Sequence, residues 1–417
     1  MKAEIISVGT EILLGDIVNT NAQYISRRLA DLGIFVYYQS VVGDNPERMR
    51  TAYELAFSRA DLVITTGGLG PTQDDLTKEI AAQYFNKKLI LDEYSLEKIK
   101  CFFRKLNRQM GESNVKQAKM PENCTILVNN NGTAPGCIIV DMGKTMVLMP
   151  GPPKEMKAMF EESVVPYLQK FIDGKLVSRI LRFAGIGESA MAEVVSDLID
   201  NGINPTVAPY AKEFECILRI TAKATTQKGA EELIEPVEEE IRKRLGKFIY
   251  GTGEMPLEFV LGEILIRKHL TIATAESCTG GLLAGKLINY PGISSAFLEG
   301  MVTYTNDAKM KRLGVKVGTL EKFGAVSHET AEEMAKGVAI ACGTNIGIST
   351  TGIAGPGGGT GEKPVGLVYI GIYVNGKTKT QKLELSGSRD SVRNRAVREA
   401  LNLLRLELQR INVIWDM

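Results

Sequence analysis

The sequence predicts an α/β protein: an N-terminal doubly wound domain, a small α+β middle domain and a second α/β domain at the C-terminal end. Three observations carry this. Apolar, β-branched runs alternate with amphipathic stretches over residues 3–68, the pattern of a parallel sheet covered by helices. A chain of 417 residues is too long for one ordinary core. Its composition, 44% hydrophobic and 24% charged, is ordinary for soluble α/β protein.

The first domain is expected over residues 1–172. "AEIISVGTE" reads as a strand ending at Gly9, and "TNAQYISRRLADLG" as an amphipathic helix stopped by Gly33. "IFVYYQSVVG" is a second strand. "NPERMRTAYELAFSRA" is a helix capped by Asn45, with Pro46 at its first position. "DLVITTGG" is a third strand. Ligands of such sheets bind beyond the carboxyl ends of the strands. That directs attention to Gly9–Glu11, to Val42–Asp44 and to "TTGGLGPTQDD".

The middle domain is expected over 175–250, in the order strand, helix, two strands, helix, short strand. Its second helix carries six glutamates between 231 and 240 and then Arg242, Lys243 and Arg244, an order that complements the helix dipole. The acidic face disfavours RNA, and a spacer or dimerisation role is expected. After a linker near "GTGEMPLE", the third domain is expected over 253–415. "TIATA", "LEGMVTYT", "TNIGISTTG" and "VGLVYIGIYVNGKTKTQKLELSG" supply its strands. "LEFVLGEILIRKHL", "GLLAGKLINY", "NDAKMKRLG", "HETAEEMAKGVAIACG" and "SRDSVRNRAVREALNLLRLELQR" supply its helices.

Charge narrows the partners. Fifty basic residues face forty-nine acidic ones, a net +1, so there is no general pull toward nucleic acid or an anionic membrane. The N-terminus reads as a strand rather than a signal peptide. No apolar run approaches the ~18 residues of a membrane span. Six scattered cysteines without a C-x-x-C pair suggest a reduced, cytoplasmic protein with no Cys/His metal site.

Two sites stand out. In "TTGGLGPTQDDLTKE" (65–79), Gly67, Gly68 and Gly70 let a ligand approach the backbone, and the following helix offers free N–H groups to phosphate. Asp74 and Asp75 add hard oxygen ligands beside that anion site, which suits Mg²⁺ shared with phosphate oxygens. A helix cap and a tight turn explain the same residues equally well. Two further Gly/Pro-rich loops, "NNNGTAPGC" and "MPGPPKEM", can shape the same pocket or be plain turns.

The second site begins at Ser277 in "TIATAESCTGGLLAG", where a buried strand turns into a helix. Unpaired amides there suit an oxyanion, although Ser277 and Thr279 can equally be helix caps. A nucleophilic serine needs a base, and the two histidines are poor candidates: His269 ends a helix and His328 starts one behind the cap Ser327. Lys309, in the first turn after "VTYTN", is the alternative, with Tyr304 close enough to share its proton. The helix dipole lowers a lysine by only about 0.3–1 kcal/mol. Reaching neutral pH takes roughly 4–5 kcal/mol, so burial or a neighbouring cation must supply most of it. "ISTTGIAGPGGGTGEKPVG" (348–366) holds seven glycines between 352 and 366 but no Walker G-K-[ST]. Arg389 opens the last helix, where it suits a phosphate or carboxylate.

"SVGTEILLG", "TTGGLGPTQDDLT", "NGTAPG" and "MPGPPKEM" closely resemble the N-terminal domain of the CinA family, itself similar to the molybdopterin-binding fold. "ATAESCTGG", "VTYTNDAK", "GAVS", "STTGIAGPGGGTGEKPVG" and "SGSRDSVR" resemble the CinA C-terminal domain across nearly all of 257–410. The resemblance implies two activities. The front domain would be a metal-dependent ADP-ribose pyrophosphatase, with Asp75 functional and Asp74, Asp75 and Glu11 around Mg²⁺. The back domain would be a nicotinamide-nucleotide amidohydrolase that needs no cofactor, using Ser277, Tyr304, Lys309 and Arg389, with Arg393 one turn further on. Gly280, Gly281, Gly355, Gly357 and Gly358 would line its substrate. Small nucleotides are the expected partners, without nucleic acid or membrane, and a homodimer is expected. Two alternatives stand beside this reading: an amidase whose first domain only binds a pterin or nucleotide, and a non-enzymatic accessory of DNA uptake.

Overall fold

The computed structural model describes residues 1–171, 174–212 and 215–410. The expected domain ends at 172 and 415 lie outside them, as do residues 213–214. The described chain forms two compact units, Met1–Val177 with Lys223–Glu231, and Ser178–Ala222 with Glu232 onward.

The N-terminal sheet has six strands in the order Phe35–Val42, Lys2–Val8, Leu62–Thr66, Lys144–Met149, Gly136–Asp141 and Thr125–Leu127. The first four run parallel, as the strand–helix alternation predicts. These include the three strands from which the sequence predicts a parallel, doubly wound sheet; Gly136–Asp141 then pairs antiparallel with both its neighbours. The cause is the short Met142–Gly143 connection, which allows a hairpin return and no crossover helix. Strand alternation builds a core on each face. Ala3, Ile5, Leu62 and Ile64 enter one core; Ile6, Val8 and Val63 enter the other. Ile5 and Ile64 are fully buried, worth about 1.5–3 kcal/mol each.

The middle domain has a four-stranded sheet ordered Thr206–Lys212, Glu215–Ala224, Lys175–Phe183 and Ile249–Thr252. Its first helical stretch breaks at Val195 into Glu188–Val194 and Ser196–Asp200, where one helix was expected. The glutamate-rich helix runs Gln227–Leu245.

The C-terminal sheet has five strands ordered Phe297–Val302, Ile272–Glu276, Ile346–Gly352, Leu367–Val374 and Lys377–Glu384. The first three are parallel and the rest antiparallel. The closing helix, Arg389–Arg410, lays Val392, Ala396, Val397, Ala400, Leu401 and Leu404 into the core that includes Ile272, Ile346 and Ile370. His269 lies past its helix, which ends at Arg267, and is exposed with φ 53. Among the described residues no helix is long and apolar enough to cross a membrane.

Candidate functional site

The strand Ile272–Glu276 lies between two parallel neighbours and delivers Ser277 to its carboxyl end, where the Ser277 N–H donates to the Thr350 carbonyl at 2.9 Å. The next helix begins only at Leu282, so Ser277 and Thr279 do not act as its caps. Glu276 does that work. Its carboxylate is 1% exposed and accepts from the amides of Gly281 (2.9 Å), Leu283 (3.0 Å) and Ala284 (2.8 Å) and from the Thr279 hydroxyl (2.7 Å). A negative charge at a helix N-terminus is stabilising, and here it ties the whole S-C-T-G-G turn to the strand. The Gly281 amide is therefore committed to Glu276, which takes it out of the unpaired amides expected near Gly280–Gly281 and leaves the others. The residue type gave no warning, because an acid beside a strand end reads as surface.

Lys309 reaches Ser277 from the helix Asn306–Leu313, whose cap Thr305 accepts from the Ala308 amide. The Lys309 Nζ lies 3.1 Å from Ser277 Oγ, 2.8 Å from the Thr303 carbonyl and 3.3 Å from the Tyr304 carbonyl. A neutral amine has two N–H donors and one lone pair. Here Nζ donates to the two carbonyls and to Ser277 Oγ; once neutral, its lone pair can instead accept the serine proton. Burial lowers the Lys309 pKa to about 8, so desolvation supplies the shift that the dipole alone could not. Tyr304 takes part through its backbone oxygen. Its phenol is 61% exposed and makes no hydrogen bond to Lys309, a correction to the expected shared proton. Neither histidine joins the site: His328 Nδ1 pairs with Thr380 Oγ1 at 2.8 Å and its ring sits edge-on to Tyr369.

Two arginines of the closing helix reach this region in different ways. Arg393 donates from Nη2 to the Thr279 carbonyl at 2.9 Å, inside the serine turn, and its Nε is buried without a partner. Arg389 is exposed and donates from Nη1 to the Gly355 carbonyl at 2.7 Å, in the glycine-rich loop. Gly355 and Gly358 have φ +79 and +86, which favour glycine, and a Cβ on Gly355 would also lie 2.6 Å from Val365 Cγ1; Gly357 has open space.

The N-terminal glycine loop lines a cleft of about 540 Å³ at the carboxyl ends of the parallel strands, together with Gly9, Glu11, Asp44, Glu155 and Asp74–Asp75. Gly67 has φ +108 and a Cβ on it would sit 2.0 Å from the Val8 carbonyl, so the loop packs directly on the first strand. Thr77 is fully buried and closes the loop by donating to the Gly67 carbonyl at 2.9 Å. The expected metal set of Asp74, Asp75 and Glu11 is not assembled. Among the described residues no three His, Cys, Asp or Glu side chains are placed to hold a metal. Asp75 turns into its own loop, accepting from the amide (3.0 Å) and hydroxyl of Thr72 beside Gly70. Asp74 is exposed, and its pKa is held below the ordinary value, chiefly by the neighbouring Thr72 side chain. Sequence reading missed Glu155, whose pKa is raised by burial and whose Oε2 accepts from Asn129 at 2.7 Å.

These features define the class: a molybdopterin-binding-like domain with a glycine-lined cleft, followed by an α/β domain holding a buried Ser–Lys pair. Family models match nearly the whole chain in three blocks. Residues 4–170 match "Probable molybdopterin binding domain", 178–251 the "Damage-inducible protein CinA KH domain" and 254–408 the "CinA C-terminal domain". The chain belongs to the CinA family. A competence-damage inducible protein of Clostridium novyi is 65% identical over 98% of this chain and 99% of its own. A CinA-like protein of Kosmotoga olearia is 58% identical over 98% and 99%. A solved structure of the protein CinA from Thermoplasma acidophilum is 38% identical and covers 40% of this chain and 96% of its own, with a TM-score of 0.37. KH domains clamp nucleotide backbones with a G-x-x-G loop. No G-x-x-G occurs between residues 178 and 251.

Proposed function

We propose that the C-terminal domain is a Ser–Lys amidase that converts nicotinamide mononucleotide to nicotinate mononucleotide and ammonia. The observation that carries this is the 3.1 Å contact between Ser277 Oγ and the buried Lys309 Nζ. Neutral Lys309 takes the Ser277 proton while Oγ bonds to the carboxamide carbon. The oxyanion that forms is held by amides of the turn that Glu276 leaves uncommitted, at Cys278–Gly280. The C–N bond then breaks and Lys309 returns its proton to the departing ammonia. Water attacks the ester, Lys309 accepts the water proton, and that proton passes back to Ser277 Oγ as the acid leaves. Arg389, exposed at the loop, faces the substrate phosphate, whereas Arg393 supports the turn. Ammonia release from the mononucleotide without added metal, by wild type but not by Ser277→Ala, tests this reading.

The N-terminal cleft is proposed to take a nucleoside diphosphate, and its hydrolytic reading is cleavage of ADP-ribose to AMP and ribose 5-phosphate. Mg²⁺ would neutralise the diphosphate, with Asp74 and Glu11 the exposed carboxylates to meet it. The separation of the three carboxylates favours a second reading, in which this cleft binds its nucleotide without turnover. AMP formed from ADP-ribose in the presence of Mg²⁺, and abolished by chelation, would select the first.

A further inference from the structure

We infer that the middle domain positions the amidase centre through the closing helix, with Glu215 and Arg398 as positioning residues. This rests on the Ser–Lys reading for its kinetic part only. The helix Arg389–Arg410 is one rigid element of 22 residues. Its first turns touch the reacting region: Arg389 holds the Gly355 carbonyl and Arg393 the Thr279 carbonyl, two residues from Ser277. Its later turns are tied to the middle domain. Arg398 donates from Nη2 to the Phe183 carbonyl at 2.9 Å, and its Nη1 lies 3.7 Å from Glu215 Oε2. Arg405, 1% exposed, donates to the carbonyls of Lys247 (3.2 Å) and Ile249 (3.4 Å) and to Asn402 Oδ1 (2.9 Å). From Arg389 to Arg405 the helix spans about 24 Å at ~1.5 Å per residue.

The anchor is built for fixed geometry. Glu215 is buried and receives hydrogen bonds from Arg182 and from the Tyr250 hydroxyl, while Arg182 Nε also donates to Tyr250 at 2.8 Å. One carboxylate thus holds two middle-domain strands and faces the closing helix through Arg398. Buried charges paired in this way are costly to leave half-paired, so Arg398 has one arrangement. The helix inherits that arrangement at its other end. With no G-x-x-G loop and six glutamates on its long helix, the middle domain lacks a nucleic-acid clamp and has this mechanical role instead.

The test uses the full-length protein. Glu215→Gln and Arg398→Met are compared with wild type by steady-state ammonia release and by hydrogen exchange of residues 277–284. Arg398→Met leaves Arg182 and Tyr250 as partners of Glu215, and the circular dichroism spectrum and Tm of each variant separate an effect on the serine turn from unfolding of the middle domain. The expected result is a loss of kcat of about three- to tenfold with KM nearly unchanged, faster exchange in the serine turn, and partial recovery in Arg398→Lys. Unchanged kcat and unchanged exchange in both variants overturn the inference. If wild type releases no ammonia, the amidase reading fails alone, and exchange in the turn still decides this one.

Discussion

Lys309 offers the sharpest prediction. Its amine is 1% exposed and burial brings its pKa to about 8. At pH 7 about one amine in ten is then neutral, against about one in 2,500 for a lysine at ~10.4. The buried setting raises the supply of base roughly 250-fold. If Lys309 is the general base, kcat/KM for ammonia release should climb about tenfold per pH unit below 8 and level off above it, a rise of roughly ninetyfold from pH 6 to pH 9. A continuous ammonia assay across that range reads this directly. A flat profile, or an inflection near ~6.5 where an ordinary histidine titrates, would refute the reasoning. Stability carries the opposite signature. The folded chain holds this proton less tightly than the unfolded one, so the lysine opposes folding below about pH 8, and the penalty fades as pH rises through its unfolded value. Lys309→Met should therefore lose ammonia release while its Tm at pH 7 equals or exceeds that of wild type.

Other outcomes follow from the same geometry. Ser277→Ala should abolish ammonia release with an unchanged circular dichroism spectrum and Tm. Glu276→Ala strands three amides and should cost about 3 kcal/mol or more in urea unfolding. Gly67→Ala drives a Cβ to within 2.0 Å of the Val8 carbonyl and should destabilise the N-terminal domain by more than about 1 kcal/mol while leaving ammonia release intact. Asp74→Asn should weaken Mg²⁺-dependent binding of ADP-ribose in calorimetry, and chelation should do the same to wild type.

Much of the fold was legible because it rests on local rules. Asn45 and Ser327 both cap helices where the sequence places them, each accepting from the amide three residues on. Strand direction is not local: the apolar run at Gly136–Asp141 looks the same whether parallel or antiparallel, and the two-residue turn to Lys144–Met149 decides. Ser277 and Lys309 were legible as candidates, but their meeting across 32 positions is a tertiary fact. Tyr304 shows the limit. Its place in the motif was right for a contact, yet the backbone oxygen makes it. Asp74 and Asp75 show another. Adjacent carboxylates look like a metal site until Thr72, three residues back, claims one of them in a local turn.

The buried lysine has a chemical consequence beyond the proposed reaction. Amines of low pKa are usually the first in a protein to be acylated or carbamylated, because more of the nucleophile is unprotonated. Here the same enclosure that lowers the pKa denies access, since Ser277, Thr303 and Tyr304 occupy every bonding direction of Nζ. Bulky amine reagents should therefore modify the exposed lysines first and spare this one. Ser277, hydrogen-bonded to that amine, becomes the atom through which a small electrophile would enter, so a covalent probe of this site should be designed for the hydroxyl and not for the more basic group behind it.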